Sequence, residues 1–260
     1  MNKITDTPSD CASLTNTSNG GAFPATPRTT LRRLASRGSH DRAAIHAILD
    51  EALVCHVAFA RDGQPFVVPM AFARDGDALY LHGSTGNRTL RALAAGAEVC
   101  VTVTLLDGLV LARSAFHHSF NYRSVVIYAT ATQVTDGAER ASALRALIEH
   151  VAPGRWNDIR QPSREEILQT LILRLPITEA SAKSRSGPPN DDDADCALPT
   201  WAGEVPLALT ASAAVTDSRV PADVHAPPYA AGYSRRPRPQ TQPSKASSGQ
   251  AAAPTSDSAM

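Results

Sequence analysis

The stretch Leu81–Arg88 (LHGSTGNR) holds the residues best suited to chemistry in this chain. Its two glycines allow a tight connection between a predicted strand, residues 78–81, and a predicted helix, residues 87–95. Backbone N–H groups at a helix start and the guanidinium group of Arg88 both suit a phosphate group. The loop therefore predicts a phosphate site at the end of a strand. The alternative is an ordinary Gly/Ser-rich connection that binds no ligand.

Three further segments carry groups that could act in a site. His82, at the strand end, could hydrogen-bond to a cofactor ring or move a proton, or it could be a structural histidine. The adjacent His117 and His118 would point to opposite faces of an extended chain, so we predict no metal site there. Arg123 would be costly to bury alone, so it should face either solvent or an anion. The sequence has no GxSxG, GxGxxG or P-loop motif, which removes support for a serine hydrolase, a Rossmann enzyme or an NTPase.

Composition excludes several classes of protein. The chain has 260 residues and a formal net charge of zero, whereas nucleic-acid-binding proteins usually carry a basic surplus. No apolar run is long enough to span a membrane, and the first residues lack the apolar core of a secretory signal. The four cysteines are scattered, with no CxxC pair, which favours a reducing compartment. We therefore expect a cytoplasmic protein that binds neither nucleic acid nor membrane.

The distribution of apolar residues predicts one domain between two tails. Residues 1–30 are polar and predict a disordered arm, whereas residues 31–203 hold nearly all the periodic apolar segments. Residues 204–260 are rich in Pro, Ala and Ser and predict a disordered tail, because such a segment buries too little apolar surface to offset its ordering entropy. Trp201, in a poor sequence background, predicts an indole that packs back on the domain.

The pattern of apolar residues in the domain predicts strands with a few helices. Asp-Gly pairs at residues 62–63, 75–76 and 107–108 predict tight turns between apolar runs, as in an antiparallel sheet. A sheet of about six strands commonly closes into a barrel, which removes exposed edges. Pro69 has no N–H for a strand ladder, so it should lie at an edge, at a bulge or beside a ligand.

Taken together, these motifs resemble the pyridoxamine 5′-phosphate oxidase-like superfamily, in particular its flavin-nucleotide-binding branch, which is similar to the nitroimidazole reductases. The resemblance spans roughly residues 31–203. It rests on the segments Gly63–Met70, Leu79–Arg88, Val101–Ser114, Asn121–Val126, Pro153–Trp156 and Glu179–Lys183.

The resemblance implies a mainly β fold with a few helices, an antiparallel split β-barrel that binds FMN at a homodimer interface. It implies a catalytic role for His82 near the flavin. The cofactor contacts that it implies come from Val67, Val68, Pro69, Met70, His82, Gly83, Ser84, Asn87, Arg88, Tyr122, Arg123 and Ser124.

Two departures from the oxidase proper weigh against that particular activity. The oxidase has a pair of basic residues in its phosphate loop, whereas here Arg88 is followed by Thr89. No counterpart of the C-terminal Arg-x-His substrate signature is present. We therefore expect an FMN-dependent oxidoreductase that acts on a small molecule. The alternatives are a non-catalytic flavin-binding protein, or the same barrel with deazaflavin or haem.

Overall fold

The computed structural model describes residues 21–235 of the chain. Ten strands in this part form one antiparallel sheet. They are β1 (Gly38–Ser39), β2 (Val54–Arg61), β3 (Gln64–Asp75), β4 (Ala78–Ser84), β5 (Glu98–Leu111), β6 (Ser119–Thr130), β7 (Thr132–Gln133), β8 (Thr170–Pro176), β9 (Glu179–Arg185) and β10 (Gly203–Pro206). The helices are α1 (Arg42–Glu51), α2 (Arg88–Ala94), α3 (Gly137–Val151), α4 (Arg164–Gln169), α5 (Asp193–Cys196) and α6 (Pro228–Ala231).

The sheet has the order β1-β9-β6-β5-β2-β3-β4-β8-β7, with β10 added to the end of β5, and it curls into a split barrel. The predicted antiparallel, mainly β fold is confirmed. Two of the three Asp-Gly pairs form the predicted turns, with left-handed φ values of 51° at Asp62, 75° at Gly63 and 53° at Gly76. The third pair does not turn the chain. Asp107 and Gly108 lie inside the continuous strand β5, at a bulge opposite β6.

The core lies inside the curl of the sheet and is closed by α1 and α2. Strand β2 alternates between buried and exposed residues, as expected for a sheet with one face exposed to solvent. Strand β4 is instead buried on both faces, because Leu79 and Leu81 enter the main core while Ala78 and Tyr80 enter a second cluster under α3. Burial raises the pKa of the Cys55 thiol in the main core to about 12, so that this thiol stays protonated.

Both predicted tails contain ordered structure next to the domain. Phe23, within the predicted N-terminal arm, is 3% exposed and belongs to the core. Beyond residue 203, Glu204–Pro206 pair with β5 as part of β10. The Tyr233 hydroxyl donates to the Val151 carbonyl oxygen at 2.8 Å. Residues 1–20 and 236–260 lie outside the described residues. Trp201 is 66% exposed in this chain, so the predicted packing of its indole on the domain is not observed.

Arg235 fixes the end of the described chain to two helices. Its guanidinium donates to the carbonyl oxygens of Asp50, Glu51 and Ala52 at the end of α1, and to that of His150 in the last turn of α3, at 2.6–3.3 Å. Carbonyl groups in the last turn of a helix have no partner within the helix, so a cation there satisfies them and complements the helix dipole. A few polar contacts thus order a segment that lacks apolar periodicity, which explains the difference from the sequence-based expectation.

Replacing Arg235 with alanine is expected to lower the free energy of unfolding by about 2 kcal/mol, since hydrogen bonds to a charged group contribute about 1.5–3 kcal/mol. Urea titration measures this change. Arg219→Ala is the matched control, because Arg219 is exposed and, within residues 21–235, its side chain pairs only with the nearby Asp217. The control should change stability by less than about 0.5 kcal/mol. Equal effects of the two substitutions would contradict the role given to Arg235.

Candidate functional site

Strands β3 and β4 separate in the middle of the sheet. They pair only between Phe72–Asp75 and Ala78–Leu81. Beyond this point β4 continues along β8, through residues 82–84, while residues 64–71 of β3 pair with β2 alone. Within residues 21–235, the other edge of β3 therefore faces no strand. Pro69 lies on this open stretch, where its missing N–H costs the sheet no hydrogen bond.

The four predicted residues of β3 divide between the two faces of the sheet. Val67 is 63% exposed and Pro69 is also exposed, whereas Val68 and Met70 pack against the main core. This division follows from the period of two in a strand. A ligand beside β3 would therefore contact the side chains of Val67 and Pro69, but only the backbone of the other two.

His82 lies at the surface just after β4 leaves β3. Partial desolvation of its imidazole lowers its pKa below the ordinary value, so the ring is neutral at pH 7. A neutral imidazole carries one donor and one acceptor nitrogen. The catalytic role of His82 stays a prediction.

The loop after His82 is held by its own polar groups. The Ser84 hydroxyl oxygen accepts from the Gly86 N–H at 3.2 Å, and the Asn87 carbonyl oxygen Oδ1 accepts from the Leu90 N–H at 3.1 Å, capping α2. A Cβ atom on Gly83 would lie 2.8 Å from Leu90 Cδ1, so a larger residue there would force the buried Leu90 side chain to shift. The acceptors of Ser84 and Asn87 are thus used by the fold, while the Ser84 O–H and the Asn87 amide NH₂ stay available as donors to an anion.

A basic pocket of about 550 Å³ opens between the end of β2 and α2. Arg61, Arg88 and Arg91 line it, together with Phe59 and several alanines, and no carboxylate is among its lining residues. Within the described residues, the guanidinium groups of Arg88 and Arg91 have no ion pair, while Arg61 lies 3.5 Å from the exposed Asp62. Three guanidinium groups around one cavity suit a phosphate or a pyrophosphate group.

Sequence reasoning identified Arg88 but missed the other two arginines of this pocket. Arg91 follows Arg88 by three residues, and residues at i and i+3 share one face of a helix, so this signal was present. Arg61 comes from a different element, the end of β2. Its approach to α2 depends on the curl of the sheet, which spacing along the chain does not reveal.

The predicted cofactor-binding residues on β6 lie on opposite faces of the sheet, as those on β3 do. Arg123 faces α1, where its guanidinium donates to both carboxylate oxygens of Glu51 and of Asp107 at 2.6–3.0 Å. These carboxylates raise the pKa of Arg123. Tyr122 and Ser124 lie on the opposite face, where the Ser124 hydroxyl donates to the Lys183 carbonyl oxygen at 3.2 Å. Arg123 thus has two carboxylates of the protein as partners, and its predicted contact with the flavin stays a prediction.

The outer face of the sheet is apolar and open. Cross-strand pairing places His56 between Pro69 and Thr102 on this face. Large exposed apolar residues surround that row on the same face, namely Val54, Val67, Leu106, Phe120 and Val205. The described residues contain no group of three or more His, Cys, Asp or Glu side chains that could hold a metal ion. No helix among them is long and apolar enough to cross a membrane.

The family model for pyridoxamine 5′-phosphate oxidase matches residues 41–184, more than half of the chain. The chain belongs to the pyridoxamine 5′-phosphate oxidase family. The family expected from the sequence is thus confirmed, and all of the predicted site residues lie within the matched region. No curated protein matches the chain.

Two solved structures resemble this member of the pyridoxamine 5′-phosphate oxidase family over most of their length. A flavocytochrome from Azotobacter vinelandii is 39% identical, with a TM-score of 0.74 over 78% of this chain and 95% of that chain. A protein from Mycobacterium smegmatis, named as binding FAD and haem, is 42% identical, with a TM-score of 0.73 over 75% of this chain and 96% of that chain. The similarity therefore extends over nearly the whole of both relatives.

Proposed function

We propose that this protein binds a flavin nucleotide and uses it to transfer electrons or hydride to or from a small molecule. The observation that carries the proposal is the pocket formed by Arg61, Arg88 and Arg91, which offers cationic donors for the nucleotide phosphates. The open edge of β3 begins at Gln64, opposite Arg61 of this pocket, and offers a flat surface for the flavin ring. The donor chemistry of the site therefore fits the group that the family resemblance implies.

The flavin that we propose is FAD, although the sequence alone favours FMN. The relative from Mycobacterium smegmatis is named as an FAD- and haem-binding protein. Two features of the pocket support the same choice. Three arginines can neutralise the two negative charges of a pyrophosphate, and a cavity of about 550 Å³ exceeds what a single phosphate group occupies.

When bound, the flavin supplies the redox chemistry, and the protein supplies binding, orientation and electrostatics. The arginines hold the phosphate end and leave the ring beside Val67 and Pro69. Because Pro69 has no N–H, it leaves no donor unsatisfied under an apolar ring. His82 is neutral at pH 7, so it can donate a hydrogen bond to a polar edge or relay a proton to a substrate oxygen or nitrogen.

We further propose that two copies of the chain form an isologous dimer across the outer face of the sheet. Val54, Val67 and Leu106 on that face are 48%, 63% and 48% exposed, and burying them would gain roughly 25 cal/mol per Å² of apolar surface. A second copy would also cover the ring side of the flavin. Light scattering is expected to give twice the chain mass of 27.5 kDa. A monomer that holds flavin tightly would contradict this arrangement.

We also propose a cytoplasmic location. The three free cysteines among residues 21–235 support it, because a reducing compartment keeps thiols unpaired.

Haem is the second cofactor that we propose. Both relatives are named for it, one as a flavocytochrome and the other as an FAD- and haem-binding protein, at 39% and 42% identity. An imidazole is the ligand that haem iron most often takes from a protein, and the described chain presents surface histidines.

One preparation tests these proposals. Full-length protein is purified, its cofactors are extracted and identified by chromatography, and its absorbance is recorded before and after FAD, FMN and haemin are added. We expect stoichiometric FAD, weaker FMN and a Soret band. Reduction by NAD(P)H followed by mixing with oxygen or a quinone distinguishes a catalyst from a flavin store. A redox protein passes electrons faster than free flavin does, whereas reoxidation no faster than free flavin would favour the non-catalytic alternative. Absence of flavin uptake would overturn the proposed function.

A further inference from the structure

Four of the eight histidines have an Nε2 atom that is either buried or in contact with another group of the protein. All eight lie in the described part of the chain. The Nε2 atom of His46 contacts Asp77, that of His117 lies 3.3 Å from Asp192, and that of His150 contacts the Ala52 carbonyl oxygen. The Nε2 atom of His40 is buried. None of these four can offer a free Nε2 atom to a large external ligand without rearrangement.

His118 differs from the other surface histidines in how its ring is held. Its Nδ1 atom lies 2.9 Å from the carbonyl oxygen of Ser114, and the side chain is exposed. A carbonyl oxygen can only accept, so Nδ1 carries the proton and the Nε2 lone pair is free. Metal-ligating histidines in proteins are usually held in this way, because the hydrogen bond fixes the tautomer and the ring orientation. No hydrogen bond holds the rings of His56, His82 or His225 within residues 21–235.

The surface around His118 is unusually apolar for an exposed loop. Phe116, two residues before it, is 89% exposed, and Phe120, two residues after it, is 53% exposed. His118 directly precedes β6, and the strand alternation predicts that it lies on the same side of the sheet as Phe120, two residues further on. Phe120 is opposite Leu109, which in turn is opposite Val205, so an apolar row crosses three strands beside the histidine. Apolar patches of this kind on a surface mark sites of interaction.

We propose that His118 is an axial ligand of a haem that lies against the apolar row formed by Phe120, Leu109 and Val205. This inference rests on the haem binding proposed above and adds the position of the haem. A porphyrin offers two large apolar faces and an iron that binds imidazole, and the surface offers both complements. The site lies at the β5–β6 hairpin, on a different part of the chain from the arginine pocket, which holds the flavin phosphates.

The test compares two neighbouring histidines. Full-length wild type, His118→Ala and His117→Ala are reconstituted with haemin, and the Soret band and the electron paramagnetic resonance spectrum are recorded. His117 is the matched control, because it is in the same loop but its Nε2 atom faces Asp192. We expect His118→Ala to lose the spectrum of imidazole-ligated haem and His117→Ala to keep it. Added imidazole should restore that spectrum in His118→Gly, and each variant should retain its FAD.

The other outcomes are equally informative. If the wild type binds haem and His118→Ala gives an unchanged spectrum, His118 is not the ligand, although haem binding stands. Loss of the spectrum in His82→Ala but not in His118→Ala would overturn the assignment in favour of the flavin-side histidine. If the wild type takes up no haemin, the proposed haem binding itself fails. Loss of both cofactors in His118→Ala would indicate unfolding, and the imidazole rescue of His118→Gly then decides the question.

Discussion

Replacing Arg88 and Arg91 together with alanine is expected to weaken FAD binding at least about 100-fold. A hydrogen bond to a charged group contributes about 1.5–3 kcal/mol, and each 1.4 kcal/mol is a factor of ten in affinity. Both guanidinium groups line the basic pocket and have no ion pair among the described residues, so their removal leaves no buried carboxylate behind. Fluorescence titration of the flavin-free protein measures the dissociation constant.

Riboflavin provides the internal control for this prediction, because it has the ring but no phosphate. Its affinity should change less than about threefold in the double variant, since a charged contact that is not made contributes nothing. Arg145→Ala is the matched control variant. Arg145 is exposed on α3 and lines a different cavity, so its loss should leave FAD binding unchanged. Equal weakening of riboflavin and FAD would show that the substitutions act on the fold rather than on the phosphates.

Replacing Arg123 with methionine is expected to lower the free energy of unfolding by about 3–5 kcal/mol. The substitution removes the guanidinium group that pairs with the carboxylates of both Glu51 and Asp107, and both side chains are mostly buried, at 24% and 11% exposed. Removing one partner from such a network leaves uncompensated charge, which costs far more than the network itself contributes. Urea unfolding followed by circular dichroism gives the free-energy difference.

The charge explanation predicts a rescue. Adding Glu51→Gln and Asp107→Asn to Arg123→Met should recover a large part of the lost stability, because neutral amides carry a smaller desolvation cost than two adjacent carboxylates that have lost Arg123. If the triple variant is no more stable than Arg123→Met alone, the arginine acts through packing of its aliphatic chain. Retention of FAD by Arg123→Met at low temperature would agree with a structural role for this residue.

Local signals in the sequence were sufficient for much of the architecture. The Asp-Gly pairs at residues 62–63 and 75–76 form turns because their backbones adopt left-handed φ values, which these residue types accept readily. The helix after the Gly/Ser-rich loop begins where Asn87 can cap it. These features depend only on residues close in sequence, so the sequence alone is sufficient to predict them.

Features set by distant contacts were not predictable. The pair Asp107-Gly108 resembles the other two, yet β6 and β10 pair on both sides of β5 and keep the chain extended. A Cβ atom on Gly108 would lie 3.1 Å from the Val205 carbonyl oxygen, so a larger residue there would require β10 to shift by a few tenths of an ångström. The partners of Arg123 come from α1 and β5, so the sequence could indicate only that an anion or solvent must meet it.

The segment after β10 makes hydrogen bonds to the rest of the domain at its two ends and few between them. Leu207 donates to Asp107 at one end, and the contacts of Tyr229, Tyr233 and Arg235 hold the other. The backbone hydrogen bonds between these ends are local, joining Asp217 to Val220 and Pro221 to Val224. The entropy of closing such a loop grows only logarithmically, so doubling its length costs about 0.6 kcal/mol. Residues 208–227 are therefore the place where this chain can accept an inserted peptide or reporter without disturbing the sheet.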